Sequence, residues 1–150
     1  MKILVVSDAH GNSELMLRLV KEYPNMDYYL DAGDSESDSY TLFPYRSIKG
    51  NCDYFSFDEK LLIRTYAGNI FMRHAPFIYP QEMKNTRIFI HGHTHRYEIK
   101  EEDNLIIVCP GSLSRPRDNF NGSFAIISIE DNKINIDIID VFTKKILLHF

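Results

Sequence analysis

The spacing of the hydrophobic residues changes along the chain, from runs typical of strands to the repeat of a helix. The run KILVVS at residues 2–7 is apolar and β-branched, which is typical of a strand covered on both faces. Residues 13–23, SELMLRLVKEY, repeat their apolar positions at the spacing of one helix face, with Asn12 as the expected N-cap and Pro24 ending the helix. Residues 26–34, MDYYLDAGD, then predict a strand that runs into a glycine turn. This β-α-β order favours parallel pairing.

Short strand patterns dominate the rest of the sequence. We predict strands at residues 45–50, 61–66, 69–74, 87–92, 97–102 and 105–111, and two or three more within 123–150, where residues 130–133 (EDNK) form a hairpin turn. One sheet flanked by helices cannot easily hold so many strands. The pattern therefore favours two packed sheets with few helices outside, within a single domain at residues 1–150.

Composition narrows the class of protein further. The net charge of −4 argues against stable nucleic-acid binding, which depends on neutralising backbone phosphates. The first apolar run is too short for a signal peptide, and no run reaches the ~20 apolar residues that span a bilayer. We therefore expect a cytoplasmic protein without membrane attachment, in which Cys52 and Cys109 are reduced thiols. The strand-rich C-terminal third offers edges that could pair in a homo-oligomer.

Half of the six histidines stand at alternate positions, His91, His93 and His95. Alternate residues of an extended segment point to the same side, and imidazole is the commonest protein ligand for transition metals. The other interpretation is a polar loop that happens to be rich in histidine. Because Gly92 interrupts the alternation, we expect His91 to be structural, as is His149 near the C-terminus.

Other polar residues follow the predicted strands in the same way. Each group lies at a carboxyl end beside glycine or a turn: Asp8 and His10, then Asp34, then Asn51, Cys52 and Asp53, then His74, and finally His93 with His95. Each group alone could be an ordinary helix entry, turn or structural histidine. Together they fit one site, because ligands collect outside the carboxyl ends of strands in α/β proteins. Mixed imidazole and carboxylate ligands suit Mn, Fe, Zn or Ni, and two such ions can clamp a phosphoryl group.

The motifs DAH, GD, GNCD, a lone His and GHTH, in this order, resemble the calcineurin-like metallophosphoesterases. The resemblance is strongest to their small bacterial and archaeal phosphodiesterase branch and extends from residue 4 to about residue 117, ending in PGSLSRPR (110–117). It implies an α/β fold, a four-layer α-β-β-α sandwich of two mixed β-sheets flanked by helices. This agrees with the number of strands that the pattern predicts.

The resemblance also implies two divalent metal ions per chain, manganese first, with Ni, Zn, Fe or Mg as alternatives. One ion would be held by Asp8, His10, Asp34 and His95, and the other by Asp34, Asn51, His74 and His93, so that Asp34 bridges them. Asn51 would bind through its amide oxygen and help to position phosphate. Asp53 would orient a nearby imidazole, as carboxylates behind metal ligands usually do.

Two positions depart from the wider family pattern. Many members carry GNHD, whose histidine protonates the leaving group, whereas Cys52 stands here. A thiol with an ordinary pKa of ~8.5 is a weaker acid than imidazolium, which leaves the proton donor open. Residues 73–76 read RHAP where the family often has HGH, so substrate contacts on that side are also open. Arg115 and Arg117 could contact substrate phosphate or could be ordinary surface arginines.

The resemblance implies a metal-dependent phosphodiesterase in which a metal-bound hydroxide attacks the phosphorus of a small phosphodiester, with Asn51, Cys52 and Asp53 as the catalytic candidates. Alternatives on the same site are a phosphomonoesterase and a dinucleoside polyphosphate hydrolase. A third alternative is a non-catalytic scaffold resembling the small retromer subunit. Such a scaffold tends to lose a ligand histidine, and the complete ligand set favours the enzyme.

Overall fold

The computed structural model describes residues 1–118 and 120–150. In chain order the elements are β1 (Lys2–Val6), α1 (Ser13–Glu22), β2 (Tyr28–Asp31), β3 (Tyr45–Ser47), β4 (Lys60–Ile63), β5 (Asn69–Arg73), α2 (Pro80–Met83), β6 (Thr86–Ile90), β7 (Tyr97–Glu102), β8 (Leu105–Pro110), β9 (Ser123–Glu130), β10 (Lys133–Asp140) and β11 (Ile146–His149). The first sheet has the strand order β11-β10-β9-β1-β2-β3, and the second has the order β4-β5-β6-β8-β7.

Each sheet has a parallel centre. In the first sheet β1 pairs with β2 and β2 with β3 in parallel, while β9, β10 and β11 join antiparallel. In the second sheet β5, β6 and β8 run parallel, and β4 and β7 form antiparallel edges. The prediction of two mixed sheets and of an N-terminal β-α-β unit is therefore confirmed.

The main apolar core lies between the two sheets. Ile3 and Val5 of β1 pack in the same buried cluster as Ile88 and Ile90 of β6. A second cluster lies beneath α1, whose helical spacing buries Leu15, Met16 and Leu19 against β1 and Phe124. This packing explains the continuous apolar run of β1, because its successive side chains point alternately into two different cores.

The helical cover of the second sheet is slight. The single-turn helix α2 buries none of its residues, and a small cluster of Phe71, Phe89 and Leu105 lies on the second sheet. The predicted α-β-β-α sandwich is confirmed as a fold class, with its second helical layer reduced to α2. The sequence pattern did not predict α2, because one turn without a buried face has no helical periodicity to detect.

Several strands end earlier than the sequence predicts. The strand predicted at 26–34 ends at Asp31, because Gly33 turns the chain with a φ of +104°. The strands predicted at 45–50 and 61–66 end at Ser47 and Ile63. Helix α1 begins as predicted, with Asn12 Oδ1 accepting the N–H of Leu15 at 3.1 Å. The early ends of β2 and β3 lengthen the loops that carry Asp34 and Asn51. The carboxyl end of β4 lies at the opposite end of the second sheet, because β4 pairs antiparallel with β5.

Two further expectations concern the whole chain. Cys52 and Cys109 are both free thiols, as predicted. Within residues 1–118 and 120–150, no helix has the length and apolar character needed to cross a membrane.

Candidate metal centre

Loops from both sheets meet at the carboxyl ends of the parallel strands. The N–H of Asp8 donates to Gly33 O at 2.9 Å, which joins the loops after β1 and β2. In the second sheet, the N–H of Gly92 donates to His74 O at 3.0 Å. The N–H of His93 crosses between the sheets and donates to Asp8 Oδ2 at 3.0 Å. These bonds join four of the five segments that carry the predicted metal ligands, and the N–H of Cys52, which donates to Asp34 Oδ1 at 2.7 Å, joins the fifth. All seven predicted ligands thus lie on loops that meet here.

Most of these residues have an unusual backbone. Five of the seven predicted ligands lie in the left-handed region, with φ of 53° at Asp8, 43° at His10, 57° at Asp34, 69° at His93 and 58° at His95. Non-glycine residues are uncommon in this region, and strained positions of this kind collect at functional sites. The same backbone region also occurs in turns elsewhere in the chain, such as those at Asn25 and Asn104. At the five ligands it turns the chain sharply within the loops that bring their side chains together.

Two glycines allow the ligands to approach one another. A Cβ on Gly50 would lie 2.1 Å from Asp34 Oδ1, and a Cβ on Gly92 would lie 2.0 Å from Ser7 Oγ and 2.8 Å from Asp8 Oδ2. Such distances are far below van der Waals contact. The glycines of the KGN and HGH segments thus leave room for the two aspartates.

A first group of atoms converges around Asp8. Its Oδ2 accepts from Ser7 Oγ at 2.7 Å and from the N–H of His93, whereas its fully buried Oδ1 accepts no hydrogen bond from the described residues. Nε2 of His95 lies 3.3 Å from that Oδ1, and Nε2 of His10 lies 3.9 Å from it. The two Nε2 atoms are only 3.2 Å apart.

The other nitrogen of each ring fixes its tautomer. Nδ1 of His95 lies 2.7 Å from Arg115 O, and Nδ1 of His10 lies 2.8 Å from a carboxylate oxygen of Glu36. Both partners only accept, so each Nδ1 carries the proton and each Nε2 presents a lone pair. Two lone pairs and the unpartnered Asp8 oxygen therefore face one another, an arrangement that a cation would stabilise.

A second group forms around His74. Its Nδ1 donates to Ala32 O at 2.7 Å, and its Nε2 faces Asp34 Oδ2 at 3.1 Å and Asn51 Oδ1 at 3.0 Å. Nδ1 of His93 lies 3.0 Å from the same Asn51 oxygen. Asp8 Oδ1 is 3.9 Å from Nε2 of His74, so it lies within reach of both groups. Acceptor atoms again predominate, as in a cation site.

The charges of this second group shift two pKa values. Burial favours the neutral ring of His74, but the hydrogen bond to Asp34 and the charge of Asp8 outweigh burial and raise the pKa of His74. Burial likewise opposes the charge of Asp34, but the contacts with His74 and with the N–H of Cys52 lower the pKa of that carboxyl. The carboxylates thus favour positive charge at the position that these ligands surround.

Asp53 has different contacts from those expected. Its Oδ2 accepts the N–H groups of Asp34 at 2.9 Å and Gly50 at 2.7 Å, and its Oδ1 accepts the N–H of Glu36 at 2.8 Å. The expectation that Asp53 orients an imidazole is therefore wrong, because backbone amides occupy its oxygens. Asp53 instead fastens the loop after β2 to the loop after β3.

Glu36 is the carboxylate that orients an imidazole, and sequence reasoning missed it. It contacts His10 through a turn with a φ of 57° at Glu36 itself. Its only sequence signal is its place two residues after Asp34. Glu36 acts through a tertiary contact that no spacing rule describes. Ser7, whose Oγ donates to Asp8 Oδ2 at 2.7 Å, was missed although it is the neighbouring residue, because the sequence does not show where its hydroxyl points.

Cys52 lies beside both groups of ligands, and its thiol is within 4.8 Å of a ring nitrogen of His10 and a carboxylate oxygen of Glu36. Its N–H donates to Asp34 Oδ1 at 2.7 Å, and its Sγ lies 3.4 Å from Asn51 Nδ2. Burial and the negative charge of Asp34 raise the pKa of the Cys52 thiol. The thiol therefore keeps its proton at neutral pH.

Two cavities open on either side of Asn51 and His93, which line both of them. The first, here the arginine cavity, has a volume of about 520 Å³ and is lined also by His10, Cys52, Arg115 and Arg117. The second, here the phenylalanine cavity, has a volume of about 500 Å³ and is lined also by Lys49, Asp53, Glu59, Arg73, Ala75 and Phe77. The structure places both predicted arginines at the first cavity.

The two remaining histidines lie outside these groups. His91 is buried, packs its ring 5.6 Å from that of Phe89 and places Nδ1 2.9 Å from Gly92 O. Burial lowers the pKa of His91. His149 is exposed on β11, where Nδ1 lies 2.6 Å from Asp137.

Comparisons with known proteins agree with this arrangement. The sequence model of the calcineurin-like phosphoesterase superfamily domain matches residues 1–132. The probable metallophosphoesterase YsnB of Bacillus subtilis is 27% identical over 154 residues, which cover 93% of this chain and 91% of that protein.

Solved structures share the fold over the whole chain. A predicted phosphoesterase from Streptococcus pneumoniae superposes with a TM-score of 0.85 and 25% identity, covering 99% of this chain and 96% of the other. Wild-type Vps29 of Entamoeba histolytica, complexed with zinc, has a TM-score of 0.76 and 22% identity, covering 100% and 98%. The likeness to Vps29 shows a shared fold.

Proposed function

Because this chain belongs to the calcineurin-like phosphoesterase superfamily, we propose that it is a metal-dependent phosphodiesterase with a dinuclear centre. The family implies divalent metal ions and phosphoester hydrolysis. Our proposal adds the number of ions, the ligand set and the preference for diesters.

One observation supports it most directly. Asp8 Oδ1 is fully buried without a hydrogen bond among the described residues, and it faces two imidazole Nε2 atoms that lie 3.2 Å apart. An unpaired buried acceptor costs free energy, and repulsion between lone pairs adds to that cost. A divalent cation removes both costs, so these residues fit the group that the family implies.

In this proposal the ligands divide into two sets, with Asp8, His10, Asp34 and His95 around one ion and Asp34, Asn51, His74 and His93 around the other. Part of this division is supported by close atoms: Asp8 lies with His10 and His95, and Asn51 Oδ1 contacts His74 and His93. Asp34 lies with His74 and Asp8, so both aspartates are near the boundary between the sets. Two bound divalent ions would supply a water activated for attack on phosphorus and positive charge for the phosphoryl oxygens. Glu36 and the carbonyls of Ala32 and Arg115 hold three imidazoles so that the correct nitrogen faces inward.

Other residues act on the substrate side of the centre. The Asn51 amide lies between the two cavities and is placed to position phosphate. Arg115 and Arg117 line the arginine cavity, where their guanidinium groups can stabilise negative charge on the substrate. The thiol of Cys52 is a weak acid, so the site suits leaving groups that need little protonation. Asp53 acts through the backbone by fixing the loops of Asp34 and Asn51.

The two cavities favour a diester over a monoester. A diester has two ester arms on the reacting phosphorus, and Asn51 and His93 stand where both cavities meet. Each arm then has a cavity of its own. A monoester or a dinucleoside polyphosphate would use the same ligands, and the monoester would leave one cavity unused.

A second candidate function is a metal-binding scaffold, which the likeness in fold to Vps29 supports. In that case the ligands would bind metal without turnover. The two candidates differ in catalysis, and metal binding alone does not separate them.

Variants of single ligands test the proposal. Asp34→Ala and His93→Ala should lose at least about a hundredfold in kcat/KM for bis(p-nitrophenyl) phosphate, a loss typical of removed catalytic groups. His149→Ala, which removes an exposed histidine on β11, is the matched control and should keep wild-type turnover. Circular dichroism checks that each variant is folded. Wild-type activity in either ligand variant would show that the ligand assignment is wrong.

A further inference from the structure

The phenylalanine cavity contains an exposed aromatic ring beside the proposed centre. Phe77 keeps 48% of its surface exposed, and it follows His74 by three residues. The small side chain of Ala75 lines the same cavity. The segment RHAP, whose role in substrate contacts the sequence left open, thus leads directly to this ring.

The ring of Phe77 is held in place. The guanidinium of Arg73 lies 5.0 Å from its centroid, and the ring of Tyr79 lies 5.3 Å away at an angle of 70°. Arg73 also donates to Phe77 O at 3.2 Å and is itself fixed by two bonds to Glu82, at 2.7 and 2.6 Å. An exposed ring that is already ordered loses little entropy on binding a planar ligand.

The charges of the two cavities differ. In the phenylalanine cavity Arg73 is paired with Glu82, and Lys49 is accompanied by Glu59. The arginine cavity is lined by one carboxylate, that of Asp34, and by two guanidinium groups, those of Arg115 and Arg117, neither of which has an ion-pair partner among the residues that the structure describes. Negative charge is therefore favoured on the arginine side, and an uncharged group is favoured beside Phe77.

We propose that the phenylalanine cavity binds an uncharged planar ring carried on one ester arm of the phosphodiester, with Phe77 as the stacking partner. The substrate class is then a diester that bears a nucleobase or an aryl group on one arm and a polar or anionic group on the other. This inference rests on the proposed function, because the diester must lie at Asn51 and His93 to reach both cavities.

Turnover of two matched diesters tests the inference. Thymidine 5′-(p-nitrophenyl) phosphate and methyl p-nitrophenyl phosphate share a leaving group, and kcat/KM is measured for both with Mn²⁺-loaded protein. Stacking on Phe77 should give the thymidine diester an advantage of about tenfold, which Phe77→Ala removes and Phe77→Trp retains. An equal loss for both diesters in Phe77→Ala would also support the inference, because the nitrophenyl ring would then occupy the cavity.

The control is Tyr66→Ala. Tyr66 is fully exposed and lies between β4 and β5, at the end of the second sheet away from the centre. It should leave both kcat/KM values unchanged. If Phe77→Ala also leaves both values unchanged, the inference is wrong even though the protein is a diesterase.

A binding measurement separates this inference from the proposed function. Calorimetry gives the Kd of thymidine 5′-monophosphate, phenyl phosphate and inorganic phosphate for the Mn²⁺-loaded protein. The ring-bearing probes should bind about tenfold more tightly than phosphate, and Phe77→Ala should remove that difference. Preference for thymidine 5′-monophosphate over phenyl phosphate would identify a nucleobase, and equal affinity would identify any planar ring. Equal affinity for all three probes would overturn the inference, whereas ring-dependent binding without any turnover would overturn only the proposed function.

Discussion

Removal of the Asp53 carboxylate should destabilise the protein more than any ordinary surface substitution. Asp53 is 7% exposed, and its two oxygens accept three backbone N–H groups, from Asp34, Glu36 and Gly50, at 2.7 to 2.9 Å. Hydrogen bonds to a charged acceptor contribute about 1.5 kcal/mol or more each. Asp53→Ala leaves all three donors without their acceptor, and we expect a loss of about 4 kcal/mol in the free energy of unfolding.

Asp53→Asn provides an intermediate case. Its single oxygen can still accept from Asp34 and Gly50, whereas its amide N–H₂ would face the N–H of Glu36. We expect about 2 kcal/mol of destabilisation, so the order of stability is wild type, Asp53→Asn, Asp53→Ala. A loss of 4 kcal/mol still leaves many domains of this size folded.

Urea unfolding of metal-free protein measures these differences without a contribution from metal binding. With a slope of about 2 kcal/mol/M, Asp53→Ala should lower the midpoint by about 2 M. Asp58→Ala is the control, because Asp58 is nearby and exposed and its side chain has no hydrogen bond among the described residues. A midpoint for Asp53→Ala equal to that of Asp58→Ala would refute the role of the three amide bonds.

Three further changes test other parts of the structure. Gly50→Ala would place a Cβ 2.1 Å from Asp34 Oδ1 and displace that carboxylate. Calorimetry should therefore show the loss of at least one bound Mn²⁺, and two retained ions would contradict the ligand assignment. Glu36→Gln removes the carboxylate from Nδ1 of His10. Competition with a chelating dye should show metal binding weakened about 10- to 100-fold. Unchanged affinity would show that this contact does not contribute to metal binding. Burial raises the pKa of Asp31 from 3.8 to about 7, so the folded state binds the proton more tightly than the unfolded state does. The free energy of unfolding of the metal-free wild type should therefore fall by on the order of 4 kcal/mol as the pH rises from 4 to 7. Asp31→Asn should lack this fall in stability. If the free energy of unfolding has the same pH dependence in both proteins, the pKa of Asp31 is not raised.

Much of the fold could be predicted because local pattern and tertiary structure agree. β1 is apolar on both faces since it lies between two clusters, and α1 carries the apolar stripe and the Asn12 cap that its position requires. Hydrophobic periodicity does not predict two other features. One is the pairing of β9 with β1, which depends on long-range contacts. The other is where β2 and β3 end, which depends on turns such as that at Gly33.

The candidate site divides in the same way. The ordered motifs indicated which residues come together, because glycine turns after successive parallel strands lead to one edge of a sheet. The roles of Asp53 and Glu36 were not accessible, since an acidic residue in a polar loop can contact an amide or an imidazole equally well. Four expectations stay predictions: a single domain, a cytoplasmic location, no stable nucleic-acid binding and a homo-oligomer.

The most direct test of the proposed dinuclear phosphodiesterase joins metal stoichiometry to turnover. Metal-stripped protein is titrated with Mn²⁺, and in parallel with Ni²⁺, Zn²⁺ and Mg²⁺, while bound metal and hydrolysis of bis(p-nitrophenyl) phosphate and p-nitrophenyl phosphate are measured. We expect turnover to require metal, to rise with the second bound equivalent, and to favour the diester. Two bound ions per folded chain without hydrolysis of either ester would contradict the enzyme and favour the scaffold.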